Sequence, residues 1–307
     1  MVSTTIDKYA YTTLKPTNTK KINVCSMDFN LRKSFELGKL KYDGELDLVK
    51  ATINEFDIEK GFDLLTHAEM PPGSGMGTSS SMAVALIGCF KEFTGRRMGK
   101  RAIAELAYHI EREELMEKGG YQDQYAAVFG GFNYMEFHKN KVTVIPLRLP
   151  LDVLNELQYC LLLFFTGETR LSSEIHEDMT RRYKMEKSDY LTSMHNLKKI
   201  ASNMKRSLLK NDTQKFGELL HEGWIEKRRL SGKITSPEIE KMYDVARQRG
   251  AIGGKILGAG GGGHLLLFCE PERKFEVANV LSKYGAKIVP FGFESQGLRT
   301  WEVREWK

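Results

Sequence analysis

Residues 71–81 read PPGSGMGTSSS and lie between a strand-like run, residues 62–69, and a run with helical apolar spacing, residues 79–93. Gly73, Gly75 and Gly77 let the backbone turn tightly, and the Thr and Ser residues behind them open the helix. The first amides of such a helix have no partner within it, and its dipole places partial positive charge there. A strand, a glycine turn and a helix in this order therefore form a cradle suited to phosphate. The segment is not a P-loop, because no Lys follows the glycines. Nor is it a dinucleotide fingerprint, because Thr78 stands where the third glycine belongs. A plain glycine turn with a Ser or Thr helix cap is the competing reading.

A second glycine segment, GAGGGG at residues 258–263, matches GxGxxG letter for letter. It runs into the apolar, β-like residues 264–269 instead of opening a helix, which excludes a dinucleotide fold. Four successive glycines predict backbone pressed against another element or a ligand, with a tight inter-strand turn as the alternative.

Between these loops lie the acidic candidates. The spacing of Ile103, Leu106, Ala107 and Ile110 predicts one helix over residues 100–118. At about 100° per residue, Glu111 falls on the flank of that stripe beside Ala104 and Ala107, where a carboxylate needs a partner. Glu114 also projects near the stripe, and periodicity leaves both open. Gly119 and Gly120 end the helix, and Asp123 precedes the apolar residues 125–129, where it either caps a short helix or serves chemistry. A phosphate cradle, a hydroxyl and a carboxylate for magnesium, and a second carboxylate for an acceptor alcohol are together the parts of phosphoryl transfer.

The remaining chain reads as α+β in two domains, 1–149 and 150–307, as its 307 residues suit. Strands at 2–14 and 20–26, split by PTNTKK, are predicted to pair. A helix carries Leu46, Val49, Ile53 and Phe56, and a hairpin turns at Lys139 and Asn140. Beyond Pro150 come a strand from Cys160 to Phe165, a long helix bearing Leu197, Ile200, Met204 and Leu208, and another capped by Asp212 or Thr213. A helix at 237–248, the glycine loop, a strand, a helix at 271–282 and two strands close the chain.

Lys and Arg number 46 against 40 Asp and Glu, a net charge of +6, with the signs interspersed. That excludes a nucleic-acid arm and suits an anionic small substrate. The cysteines Cys25, Cys89, Cys160 and Cys269 lie far apart without CxxC or Cys/His zinc spacing, as expected of reduced thiols in a cytoplasm. The longest apolar run is residues 159–165 and the chain starts MVSTTIDKY, so neither a membrane span nor a signal peptide is expected.

PPGSGMGTSSS, GGYQDQYAA and KILGAGGGG, in this order, resemble the second motif, acidic catalytic segment and third motif of the GHMP small-molecule kinases. VSTTIDKYAY, IERE ahead of GGYQDQYAAVFGGFN, and FTGETRLSSEI are most similar to the branch of D-glycero-D-manno-heptose 7-phosphate kinases. The resemblance implies a ribosomal-protein-S5-like N-terminal domain and a ferredoxin-like C-terminal domain with a helical insertion. It further implies transfer of the ATP γ-phosphoryl group to the anomeric hydroxyl of a heptose 7-phosphate, toward nucleotide-activated heptose. Ser79 and Glu111 would hold Mg2+, and Gly73, Gly75, Met76, Gly77, Thr78, Ser79 and Ser80 would wrap the phosphates. Asp123 would orient or deprotonate the attacking hydroxyl. Gly258, Ala259, Gly260, Gly261 and Gly262 would brace the site, while Thr166 and Arg170 would contact sugar or phosphate. The family's first motif, of the form P-x-R-x-x-x-x-GGGTD, stands ahead of the part matching VSTTIDKYAY. Its absence leads to an expectation of ATP binding with weak sugar phosphorylation. The alternatives are a noncatalytic sugar- or nucleotide-binding protein on this fold and a kinase for another sugar, such as galactose or fucose, or for a nonsugar alcohol. A homodimer is left open.

Overall fold

The structure is a computed structural model and describes residues 1–139, 141–168, 173–185 and 187–303. Its first half contains strands β1 (Val2–Ser3), β2 (Thr5–Ile6), β3 (Ala10–Pro16), β4 (Lys21–Ser26) and β5 (Leu31–Glu36), then helix α1 (Asp47–Asn54) and strand β6 (Phe62–Ala68). Helices α2 (Thr78–Thr94), α3 (Lys100–Tyr108) and α4 (Gln122–Phe129) follow. β6 buries alternate residues, Phe62, Leu64, Thr66 and Ala68, and runs parallel to β4 with Ile22 opposite Phe62 and Val24 opposite Leu64. One sheet face is therefore apolar, and α2 covers it, with Phe90 edge-on to Phe62 at 5.4 Å between ring centroids.

The expected pairing of β3 with β4 does not occur. The sheet order is β3-β6-β4-β5, with β6 inserted between them. The turn's hydrogen bonds explain this: Thr17 N–H donates to Gly61 O at 2.9 Å and Gly61 N–H to Thr19 O at 3.0 Å. The PTNTKK turn thus closes on the residue just ahead of β6. A Cβ at Gly61 would lie 2.4 Å from Lys21 O, so glycine is required there. The helix expected over 100–118 is also interrupted. After Tyr108 the chain makes a π-helical turn, His109–Glu114, with Leu115 N–H donating to Ile110 O at 3.0 Å. The wider turn rotates Glu111 off the flank into the interior, where it is 0% exposed.

The second half opens with the expected hairpin, β7 (Asn133–His138) and β8 (Lys141–Pro146), which β1 extends to three strands. Helix α5 (Leu151–Cys160) runs directly into β9 (Leu161–Phe165), so Cys160 ends a helix where a strand was expected to begin. Then come α6 (Ser173–Lys184), α7 (Ser188–Leu209), α8 (Thr213–Leu230), α9 (Pro237–Gln248), β10 (Ala251–Ile256), β11 (His264–Cys269), α10 (Lys274–Lys283), β12 (Lys287–Ile288) and β13 (Phe293–Glu294). Asp212 caps α8, accepting from Lys215 N–H at 2.9 Å. Strands β10-β11-β9-β12 form an antiparallel sheet around a core containing Phe164, Trp224, Tyr243, Leu265, Leu267, Val277 and Leu281. All four cysteines are free, and burial pushes the Cys269 thiol up to about 12. Among the described residues no helix is long and apolar enough to cross a membrane.

Two compact units result, and they interleave along the sequence. One comprises Met1–Ile6, Gly73–Met76 and Phe132–Phe293; the other comprises Asp7–Pro72, Gly77–Gly131 and the segment from Glu294 onward. The change of texture near Pro150, by contrast, marks a single cut. In the second unit the C-terminal segment returns to α4, and a Cβ at Gly297 would meet Val128 O at 2.1 Å.

Candidate active site

In the second unit the chemistry gathers at the start of α2. Gly77 is its N-cap in a left-handed conformation, φ 70°, and no side chain caps the helix. The Ser/Thr-capped turn is therefore absent, and the first amides of α2 are left for another acceptor. Ser79 Oγ donates to Glu111 Oε1 at 2.8 Å and Ser80 Oγ to Glu111 Oε2 at 2.7 Å. Gln124 on α4 adds a third bond, Nε2 to Glu111 Oε2 at 2.6 Å. Among the described residues Glu111 has no cation within ion-pair distance, so these three donors alone offset the burial of its charge.

Gln124 was missed by the sequence reading. It is fully buried together with Tyr125 and Val128, and its Oε1 has no partner among the described residues. An amide on the apolar side of α4 was the available signal. Glu114, the competing candidate, instead accepts from Tyr42 OH at 3.2 Å. It lies with Glu55 and His109 in a group whose ligand atoms are within 4.8 Å of one another. The hydrogen bond to Glu113 raises the His109 pKa, as expected of an imidazolium among carboxylates.

Asp123 occupies the first turn of α4 but does not cap it, since the N-cap is Tyr121. Its side chain lies against Gly77, where an added Cβ would come within 3.3 Å of Asp123 Cβ and Cγ. Loss of surrounding water raises the Asp123 pKa and the charge of Glu111 adds to that, while the Arg112 guanidinium and a hydrogen bond from Gln122 oppose it.

In the first unit the two glycine segments meet backbone to backbone. A Cβ at Gly258, φ 61°, would sit 2.7 Å from Gly75 Cα, and one at Gly263 would sit 2.4 Å from Ser74 O. This is the close approach that successive glycines imply. His264 fastens the same contact, its Nδ1 lying 2.8 Å from Ser74 O, and burial lowers its pKa, so a neutral ring donates to the carbonyl. Thr166 joins from β9's end, with N–H and Oγ1 both donating to Gly263 O at 2.9 Å. Its hydroxyl is engaged by the loop. Arg170 lies outside the described residues. Gly77, Ser79, Ser80, Glu111 and Asp123 are thus assembled in one cluster, and Gly75, Gly258 and Thr166 in or beside the other. Thr78 Oγ1 turns back to Pro71 O at 3.4 Å.

Comparison with known proteins identifies the family. The GHMP kinases N terminal domain matches residues 46–131, and the GHMP kinases C terminal domain matches residues 204–287. A D-glycero-alpha-D-manno-heptose 7-phosphate kinase of Campylobacter jejuni is 37% identical, with 99% of this chain and 91% of that protein covered. A D-glycero-D-manno-heptose 1-phosphate kinase structure from Bacteroides thetaiotaomicron superposes with TM-score 0.83 at 34% identity, over 99% of this chain and 90% of that one. Lactococcus lactis galactokinase shares the fold at TM-score 0.76 and 19% identity, over 96% and 89% of the two chains. With both of its domains matched and a relative of this identity covered nearly end to end, the chain belongs to the GHMP kinases, phosphotransferases with hydroxyl acceptors.

Proposed function

We propose that this protein transfers the γ-phosphoryl group of ATP to the anomeric hydroxyl of D-glycero-D-manno-heptose 7-phosphate, on the way to nucleotide-activated heptose. The observation that carries the chemistry is a carboxylate of raised pKa, Asp123, packed on Gly77 in the turn that leads into uncapped α2. The similarity to the heptose 7-phosphate kinase carries the substrate. Asp123 orients the acceptor hydroxyl and takes its proton as the sugar oxygen bonds to phosphorus and the bond from phosphorus to the departing ADP oxygen breaks. A raised pKa suits a base acting near neutral pH. The amides of residues 75–80 receive phosphate oxygens.

The donor set fits magnesium. Ser79 Oγ and Glu111 Oε1 are hard oxygens 2.8 Å apart, close to the roughly 2.9 Å between adjacent ligands expected for Mg–O bonds of 2.0–2.1 Å. Ser79 and Glu111 would hold the ion, which when bound supplies positive charge against the phosphates. Ser80 and Gln124 keep Glu111 in place. ATP and free thiols suit a cytoplasmic setting.

The relatives' names differ in the position of the substrate's own phosphate, so acceptors must be compared directly. ADP release should be fastest with heptose 7-phosphate and slower with heptose 1-phosphate, galactose, fucose or mevalonate. The new phosphorus signal should couple to the anomeric proton. Preference for another acceptor would replace the substrate assignment. ATP should also raise the melting temperature more with magnesium than with EDTA, and Glu111→Ala should remove most of that difference. An unchanged difference in the variant would move the metal elsewhere.

A further inference from the structure

The loop at 258–263 carries only one side-chain carbon, the methyl of Ala259, so it cannot hold its own shape. Glycine also has the most backbone freedom to lose on ordering, so the loop's geometry must be imposed from outside. Backbone partners do part of this: Gly261 N–H donates to Ile234 O and Gly263 N–H to Glu168 O, both at 2.7 Å. Among the described residues, two side chains add hydrogen bonds to the loop's carbonyls. Thr166 Oγ1 holds Gly263 O at the far end. At the near end Lys227, from α8, donates through Nζ to Ile256 O at 3.0 Å and to Gly258 O at 2.6 Å.

Lys227 therefore joins the last residue of β10 to the first residue of the loop, across Leu257. Leu257 N–H donates to His264 O at 2.8 Å, and its carbonyl faces Gly75, where a Cβ would approach it to 3.1 Å. Among the described residues no carboxylate lies within ion-pair distance of Lys227. Dense surroundings lower its pKa well below the ordinary lysine range, and the charge of Lys255 lowers it further. An ammonium held in such surroundings without a counter-charge is an expensive way to fill space, whereas an apolar side chain of equal length would fill it at no such cost. What the ammonium provides and the apolar chain cannot is a pair of donors for the two carbonyls.

We propose that Lys227 is a positioning residue for phosphoryl transfer, clamping Ile256 O and Gly258 O so that the 258–263 loop holds Ser74 and Gly75 in the geometry that receives ATP phosphate. The inference rests on reading residues 73–80 as the phosphate loop. It differs from a stability role in being selective. A loosened loop should weaken ATP binding first, because the loop packs on Ser74 and Gly75 of the phosphate turn.

The test compares Lys227→Met, which keeps the stem and removes the donors, with Lys227→Arg, which keeps the charge and donors, in the full chain. Lys227→Met should raise KM for ATP about tenfold while KM for heptose 7-phosphate stays within about twofold, and Lys227→Arg should recover most of the loss. Amide hydrogen exchange at Gly261 and Gly263 should quicken in Lys227→Met beyond what its change in global stability explains. If Lys227→Met does not fold, Lys227→Gln carries the same comparison. An unchanged KM for ATP with unchanged exchange, or equal rises in both KM values, would overturn the proposal while wild-type ATP binding remains. Absence of any magnesium- and ATP-dependent melting shift in the wild type would instead overturn the phosphate-loop reading beneath it.

Discussion

Among the described residues, every hydrogen bond to the Glu111 carboxylate comes from a side chain: two serine hydroxyls and an amide converge on one buried group. Around Gly258 and Gly263 the decisive feature is that side chains are missing, because a Cβ at either would meet the backbone of Ser74 and Gly75. The first arrangement stores electrostatic free energy. Glu111 is buried with no cation in ion-pair distance among the described residues and raises the pKa of Asp123, so the folded protein holds two carboxylates that a bound cation would relieve. The second pairs its backbone groups and works by shape, although Ser74 Oγ is buried without a partner among the described residues. One region is vulnerable to a change of chemistry at fixed size, the other to a single methyl group.

The sharpest separation of stability from activity is expected at Asp123. Asp123→Asn should lower turnover at least about a hundredfold, roughly 2.7 kcal/mol in the barrier. It should also raise the melting temperature in EDTA at pH 7. A carboxyl whose folded pKa lies above its unfolded value adds stability below the unfolded pKa and loses it as pH rises through the folded pKa. At neutral pH the native state therefore bears an ionised group it disfavours, and Asn removes that burden. A lower melting temperature for the variant would mean that Asp123 is held by favourable contacts and that the cluster stores no such free energy.

In the glycine contact, Gly258→Ala should destabilise by roughly 2–4 kcal/mol through strain and overlap with Gly75, read from denaturant midpoints. Gly232, in the same unit, has nothing within 4 Å of an added Cβ and no positive φ. Gly232→Ala should be neutral or stabilising by up to about 1 kcal/mol. Similar losses at the two positions would show that composition, and not the close approach, sets the sensitivity of this region.

Within the carboxylate cluster the two serines should part company. Ser80 is 2% exposed, and Ser80→Ala should cost about 1–2 kcal/mol of stability by leaving Glu111 one donor short. Ser79 is exposed, and Ser79→Ala should leave stability nearly unchanged while shrinking the magnesium-dependent part of the ATP melting shift. Equal losses in both readouts at both positions would make the serines a single structural pair.

The two regions were also unequally legible in the sequence. β6, α2 and the β7–β8 hairpin follow from alternation and helical spacing, which burial enforces locally. The insertion of β6 between β3 and β4 depends on backbone bonds between the PTNTKK turn and Gly61, which leave no pattern in residue types. Glu111 and Glu114 could not be separated because periodicity assumes an unbroken α-helix, and the π turn re-aims both. Gln124 was overshadowed by its neighbour Asp123. The successive glycines announced a close approach, but its partner, Ser74 and Gly75, lies far away in the sequence.

The smallest effect expected is a pH dependence lodged in the glycine contact. His264 is 1% exposed and donates from Nδ1 to Ser74 O, and burial holds its pKa below the ordinary value of 6.5. A group whose folded pKa is depressed adds stability above its unfolded pKa and loses it as pH falls toward the folded pKa, because the unfolded chain binds the proton first. His264 should therefore pull the melting temperature down as pH is lowered from 7 toward 5, against the raised pKa values of His109 and Asp123, which pull it up over the same range. His221 contributes in the same direction, its pKa also lowered by burial. His264→Asn, which keeps a donor for Ser74 O but does not titrate in this range, should remove part of that downward pull, and the rest should remain with His221. If the slope is unchanged in His264→Asn, the imidazole gains its proton without disturbing the contact. The close packing of Ser74 and Gly75 on the loop would then rest on the glycines alone.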